Sequence, residues 1–289
     1  MTTRRTRSAA RARQSARLSE NYGPWAVVTG ASDGIGRAFA QQLASHGLSL
    51  VLVARRQRQL DTLAAELTDN HGISAIALGA DLATIQGRRA VWEATTSLDI
   101  GLLVAAAGFG TSGPFLDNDL STELEMLQVN CAAVLEQTHQ FGRRFADRGR
   151  GGLVLLSSLV AFQGVARAAG YAATKAHVQT LAEGLGIELK PHGVDVLACA
   201  PGPVKSGFAA RADMRLGATV SPDTVAREAL NALGRRATVT PGMLSKVLTG
   251  SLRTLPRPAR VRAMRRIMQG MTDHHSAAST ARELGGPTV

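Results

Sequence analysis

The sequence predicts an α/β chain: a single doubly wound parallel sheet of about seven strands, helices on both faces, and a C-terminal helical appendage. Three observations carry this expectation. Short apolar runs alternate with helical patterns along most of the chain. Each run is nearly continuous rather than alternating, as strands covered on both faces require. Neither a linker nor an internal repeat interrupts residues 24–242.

The first strand is read over Ala26–Thr29, and a glycine-rich loop leads from it into a helix over Gly36–Ser45. Leu48–Ala54 is the second strand, followed by a helical pattern over Gln57–Thr68. Ile73–Leu78, Leu102–Ala106, Leu153–Ser157 and Val194–Ala198 supply further strands, each bounded by Gly, Pro or a polar cluster. Strands alternating with helices imply right-handed crossovers. Ser221-Pro222-Asp223 opens another helix, with Ser as N-cap, Pro at the first position and an acid in the first turn. It should stop near Gly234, leaving Thr238–Thr240 as the last strand.

Beyond Pro241 the pattern changes. Leu244, Val247, Leu248, Leu252 and Leu255 keep helical spacing, and Val261, Met264 and Met268 continue it among Arg260, Arg262, Arg265 and Arg266. Pro256 and Pro258 should break this stretch in two. The organisation expected is a disordered basic tail over 1–20, one domain over 21–242, an amphipathic basic helical appendage over 243–270 and a flexible tail over 271–289.

Composition narrows the function classes. With 45% hydrophobic and 19% charged residues in 289, the chain reads as soluble and globular. No apolar run reaches the roughly 18 residues that span a bilayer. The N-terminus lacks the apolar stretch of a secretory signal. Cys131 and Cys199 fit no metal spacing and sit in apolar segments, which points to a reducing, cytoplasmic compartment. The seven histidines likewise form no motif, so no metal site is expected.

The net charge of +11 invites a nucleic-acid reading, but its location argues against one. Residues 1–20 and 251–289 each carry +5, and the remaining 230 carry about +1. A nucleic-acid-binding domain would concentrate charge on its folded body. The basic appendage is better read as a cap that packs its Leu/Met face on the domain or a sister subunit; peripheral contact with an anionic membrane is the alternative.

The chemistry starts at Thr29-Gly30-Ala31-Ser32-Asp33-Gly34-Ile35-Gly36, between the first strand and a helix. Glycines there let backbone approach a pyrophosphate, and the helix N-terminus offers free N–H donors. This loop resembles the TGxxxGxG motif of the short-chain dehydrogenase/reductase family, which has a Rossmann-type fold. Several other motifs fit that resemblance in order: Asp81 after the third strand, Asn130 in VNCAAV, Ser158 thirteen residues before Tyr171, the YxxxK pair Tyr171 and Lys175, and Pro201-Gly202. The resemblance covers roughly residues 24–242 and implies a nicotinamide cofactor.

The cofactor would be bound by Gly30, Ser32, Asp33, Gly34, Ile35 and Gly36, by Asp81 and Leu82 at the adenine, and by Ala106, Ala107 and Gly108. Tyr171, Lys175, Pro201, Gly202, Val204 and Ser206 would complete the set. One departure stands out. Ala105-Ala106-Ala107-Gly108 replaces the usual Asn-Asn-Ala-Gly, so altered stability or cofactor affinity is expected. At the end of the second strand, an acid would hydrogen-bond the ribose hydroxyls of NAD. Arg55 stands there instead, followed by Arg56, and a guanidinium fork suits the 2′-phosphate of NADP(H).

The resemblance makes Tyr171 the general acid/base, with Lys175, one helical turn on, lowering its pKa and holding the nicotinamide ribose. Ser158 would hydrogen-bond the substrate oxygen, and Asn130 would hold a water in a relay to Lys175. Reduction of a hydrophobic ketone or aldehyde is the activity expected. Phe109, Phe162 and Phe208 are read as substrate contacts beside Ser158 and Tyr171. The loop Ser206–Ser221 is read as a lid, and a homodimer or homotetramer is the assembly the resemblance implies. The competing class is a catalytically idle nucleotide-binding scaffold or sensor.

Overall fold

The computed structural model describes the backbone over residues 2–284, and side chains over 12–252 and 254–272. Helix α1 (Thr2–Tyr22) is followed by β1 (Trp25–Thr29), α2 (Gly34–Ser45), β2 (Ser49–Ala54), α3 (Gln57–His71) and β3 (Ala75–Gly79). Next come α4 (Ile85–Thr95), β4 (Ile100–Ala105), α5 (Leu120–Leu127), α6 (Ala133–Arg148) and β5 (Gly151–Leu156). The chain continues through α7 (Ala169–Glu188), β6 (Val194–Cys199), the single-turn α8 (Phe208–Arg211), α9 (Pro222–Ala232) and β7 (Thr238–Val239). Two helices finish it, α10 (Met243–Arg253) and α11 (Arg257–Leu284).

The seven strands form one sheet in the order β3-β2-β1-β4-β5-β6-β7, and every pairing is parallel. Alternate residues of each strand feed two cores. Val28, Leu50, Leu52, Val104 and Leu197 pack under α2, α3 and α9. Val27, Val51, Leu103, Leu155 and Val196 pack under α6 and α7 through Phe141, Phe145 and Val178. The doubly wound order reverses between β1 and β4, so a cleft opens at their C-terminal ends.

The N-terminal segment corrects the expectation of a disordered tail. Leu18 and Tyr22, four apart on α1, are fully buried on the same side of the sheet as α2 and α9. The Tyr22 hydroxyl donates to Asp195 at 2.6 Å. The Arg17 guanidinium donates to the carbonyls of Leu230 and Leu233, the last turn of α9, at 2.6 and 2.8 Å. Two apolar anchors and a capping arginine suffice to dock a helix whose composition is otherwise that of a tail.

The appendage is helical and breaks at Pro256, with Pro258 inside the first turn of α11, where a missing N–H costs nothing. Helix α11 runs past 270, so the expected flexible C-terminal tail begins inside a helix as far as Leu284. Residues 285–289 lie outside the described residues. Among the described residues, no helix is long and apolar enough to cross a membrane.

Candidate active site

The β1–α2 loop is shaped by its glycines. Gly30 has φ of +68°, and a Cβ there would lie 2.9 Å from the Ala106 carbonyl oxygen. A Cβ on Gly36 would fall 2.3 Å from the Gly30 carbonyl oxygen. Backbone therefore passes backbone at van der Waals limits, and Gly34, Ile35 and Gly36 at the start of α2 line the cleft. Asp33 caps α2, accepting the Gly34 N–H at 2.7 Å, while its other oxygen accepts the Gly207 N–H at 3.0 Å. The loop is thus tied to the segment that follows Pro201-Gly202.

Ala105 and Ala106 leave a tie between β1 and β4 to another side chain. Thr29 supplies it, accepting the Ala107 N–H at 3.1 Å and donating to the Val104 carbonyl at 3.5 Å. The strand ends remain joined without the amides, and Ala106, Ala107 and Gly108 stay on the cavity wall.

A cavity of about 560 Å³ fills the cleft. Gly30, Ser32, Asp33, Gly34, Ile35, Gly36, Arg55, Arg56, Asp81 and Leu82 line it. So do Ala106, Ala107, Gly108, Tyr171, Lys175, Pro201, Gly202, Val204 and Ser206. These residues come from the C-terminal ends of the central strands, where such folds bind dinucleotides. The glycine cradle, the helix N-terminus and the arginines beside it fit a phosphorylated dinucleotide. Asp81 accepts the Ala83 N–H at 3.0 Å, which fixes its carboxylate on the cavity wall.

Tyr171 and Lys175 sit one turn apart on α7, both buried. Ser158, at the end of β5, hydrogen-bonds Tyr171. Lys175 Nζ donates to the Leu156 carbonyl at 2.8 Å and lies 5.8 Å from the Tyr171 ring centre. Burial pushes the Tyr171 phenol up to about 12, with the Ser158 hydrogen bond pulling the other way. Burial likewise brings the Lys175 ammonium down to about 8. The expectation that Lys175 depresses the phenol pKa is therefore corrected. Desolvation of the phenolate dominates, and the Lys175 ammonium is itself desolvated and engaged by a carbonyl.

Asn130 is held by side-chain hydrogen bonds of its own. It occupies a wide π-turn (Gln128–Ala132) between α5 and α6, fully buried. Its Oδ1 accepts the Phe109 N–H at 3.1 Å. Its Nδ2 donates to the Phe109 carbonyl at 2.8 Å and the Thr174 hydroxyl at 3.0 Å. In this arrangement it clamps the chain after β4 to α7, beside Lys175.

The other half of the cavity is apolar. Phe109 and Phe208 line it, the Phe208 ring lying 5.3 Å from that of Tyr171. Phe162 does not. It ends a 3-10 turn over Leu159–Phe162 and lines a separate small cleft with Leu252 and Arg260. Met264, Ile267, Met268 and Met271, one stripe of α11, roof the cavity together with Leu248 and Leu252 of α10. Sequence spacing marks this stripe as one face of a helix but does not place it over the site. Arg167 fixes the roof by donating to the Thr272 carbonyl at 3.0 Å, and the Arg215 N–H donates to the Met271 carbonyl.

The comparisons agree with this geometry. The family profile described as short chain dehydrogenase matches residues 24–216. A 7beta-hydroxysteroid dehydrogenase of Collinsella aerofaciens is 29% identical over 238 residues, 79% of this chain and 90% of its own. A solved short-chain dehydrogenase from Sphingobium yanoikuyae in complex with NADPH has a TM-score of 0.73 at 31% identity, covering 81% of this chain and 97% of that one. A bulky-bulky ketone specific alcohol dehydrogenase from Comamonas testosteroni has a TM-score of 0.69 at 28% identity, covering 81% and 96%. With the glycine cradle, Ser158 beside the buried Tyr171 and Lys175, and these matches together, the chain belongs to the short-chain dehydrogenase family of nicotinamide-dependent oxidoreductases.

Proposed function

We propose that the chain is an NADP(H)-dependent carbonyl reductase whose substrates are bulky apolar ketones or aldehydes. One observation carries this reading: Ser158 and the buried Tyr171 and Lys175 lie in a cavity whose far half is walled by Phe109, Phe208, Met264 and Met268. Polar groups converge at one end and apolar side chains fill the other, the pattern of a site that orients a large ligand by a single functional group.

When bound, the cofactor would supply the hydride. The protein's own contribution is proton transfer, orientation and exclusion of water. Tyr171 holds its proton throughout the neutral range, because burial keeps the phenol neutral, and it donates that proton to the carbonyl oxygen as alkoxide character develops. Ser158 donates to the same oxygen and sets the distance to the phenol. Lys175, held against the Leu156 carbonyl, is in place to bind a ribose hydroxyl and to favour phenolate once the proton has left. The apolar roof excludes water from the reacting atoms.

The half-exposed Arg55, with Arg56 donating to Ser32 at 3.1 Å, supports the choice of NADP(H). The NADPH-bound relative has the same fold, and the names of the hydroxysteroid and bulky-ketone relatives support a large substrate. The roof uses the apolar stripe of α11, which favours the cap reading of the appendage over membrane contact. Leu120, Leu124 and Leu127 on α5 and Leu135 on α6 are exposed, which supports self-association through that face. Fluorescence titration with NADPH and with NADH is the test, followed by a ketone screen. Tighter NADPH binding and turnover confined to bulky apolar ketones are expected. Turnover of small acidic ketones alone would overturn the substrate assignment.

A further inference from the structure

Two arginines from distant parts of the chain meet on one carboxylate oxygen. Arg55, at the end of β2, approaches Glu125 Oε1 at 3.3 Å, and Arg211, in α8, approaches the same atom at 3.1 Å. All three side chains line the cavity. We propose that Arg211 is a second ligand for the adenosine 2′-phosphate, delivered by the segment after the Pro-Gly loop, and that Glu125 is the carboxylate this phosphate displaces. The inference rests on the NADP(H) reading and extends it from one arginine to two.

Two guanidinium groups within reach of a single oxygen make an anion site, and a phosphate suits it better than a carboxylate. It carries more charge and three oxygens, so each planar fork can be satisfied separately. Arg211 is held in place for this role. Its guanidinium stacks 3.7 Å from the Phe109 ring centre, which limits the freedom it would lose on binding. Burial and the neighbouring Arg55 both oppose its charge, and Glu125 and Asp81 offset them, so a stronger anion would relieve a real repulsion. Glu125 is partly exposed and can turn towards water from α5 without disturbing the core.

The assignment links the two ends of the cavity. Helix α8 also carries Phe208, whose ring packs on Tyr171. Capture of the phosphate by Arg211 would therefore anchor the wall that flanks the catalytic phenol.

The test compares dissociation constants for NADPH and NADH in the wild type, Arg55→Met, Arg211→Met, Arg211→Lys and Glu125→Gln. Displacement by adenosine 2′,5′-bisphosphate and by 5′-AMP provides probes that do not reach the substrate end. Arg211→Met should weaken NADPH and the bisphosphate about tenfold relative to NADH and 5′-AMP, the loss expected for a charged hydrogen bond. Arg211→Lys should retain part of that preference. Glu125→Gln should tighten NADPH about threefold, as removal of an exposed competing charge implies. A loss of preference in Arg55→Met with none in Arg211→Met would overturn the assignment of Arg211 alone. Equal wild-type affinity for the two dinucleotides would overturn the NADP(H) reading and this inference with it.

Discussion

The two halves of the cavity are built in different ways. The cofactor half is made of backbone: the β1–α2 loop, the ends of β4 and β5, and the Pro-Gly segment, all fixed by the sheet. Its close backbone approach depends on side chains that are missing, as at Gly36, where a Cβ would meet the Gly30 carbonyl at 2.3 Å. The substrate half is made of side chains that the sheet does not carry, from α8, α10 and α11. The first half can hold one kind of ligand. The second can change its occupant by altering a few methionines, which is how one fold comes to serve many substrates.

The largest effect should come where the halves meet. Tyr171→Phe removes the proton donor and leaves both walls in place. It should lower kcat by about 10²- to 10⁴-fold, the range for a general acid, with NADPH affinity nearly unchanged. Steady-state kinetics beside a binding titration will separate the two. Retained turnover would make the phenol a wall residue and remove the proton donor from the mechanism.

Next, Gly36→Ala should break the cofactor half alone. The added methyl has only backbone to push against, and such overpacking costs about 1–3 kcal/mol. If that cost falls on the loop, NADPH affinity drops by roughly ten- to a hundredfold. Titration alongside a thermal melt will show whether binding or folding bears it.

Met268→Ala is the matching change in the substrate half. Met268 is buried on the inner face of α11 and lines the cavity. Its loss should raise KM for a bulky apolar ketone about tenfold, the worth of one buried apolar side chain. NADPH affinity should stay within about twofold, since the contact is on the other side of the nicotinamide end. A parallel change in both constants would mean the two halves are one mechanical unit.

The contrast also decides what can be read from sequence. The loop residues 29–36, Asp81, Tyr171 and Lys175 are legible because their chemistry depends on short local spacing. The same holds for the strands, whose apolar runs are covered on both faces. Met264 and Met268 show helical spacing, yet a spacing says which face is apolar and not what it covers. Arg211 is legible only as a charge near the lid, because its partner Glu125 lies on another element. The two buried anchors of α1, Leu18 and Tyr22, are hidden beside six arginines in a segment whose average composition is that of a tail. Ala105 and Ala106 suggest a weakened strand end, and the Thr29 hydroxyl that compensates is visible only in three dimensions. Asn130 stands out by its motif, but its clamp on Phe109 depends on the turn geometry around it.

The smallest effect tests the electrostatics at the junction. The chain has two tyrosines, Tyr22 and Tyr171, and burial raises both phenols, Tyr171 to about 12. Tyr22 is raised further by its hydrogen bond to Asp195. An unfolded chain would ionise both near 10. A folded phenol with a raised pKa binds a proton that the unfolded one has released, so stability is intact below about 10 and falls as pH rises towards 12. An absorbance titration of tyrosinate in the folded protein should accordingly show almost no phenolate at pH 10, with Tyr171→Phe identifying which step belongs to the site. Phenolate appearing below pH 10, and lost in that variant, would mean that the Lys175 ammonium outweighs burial after all. The proton would then be shared along the turn from Tyr171 to Lys175, and the neutral phenol would no longer explain the direction of transfer.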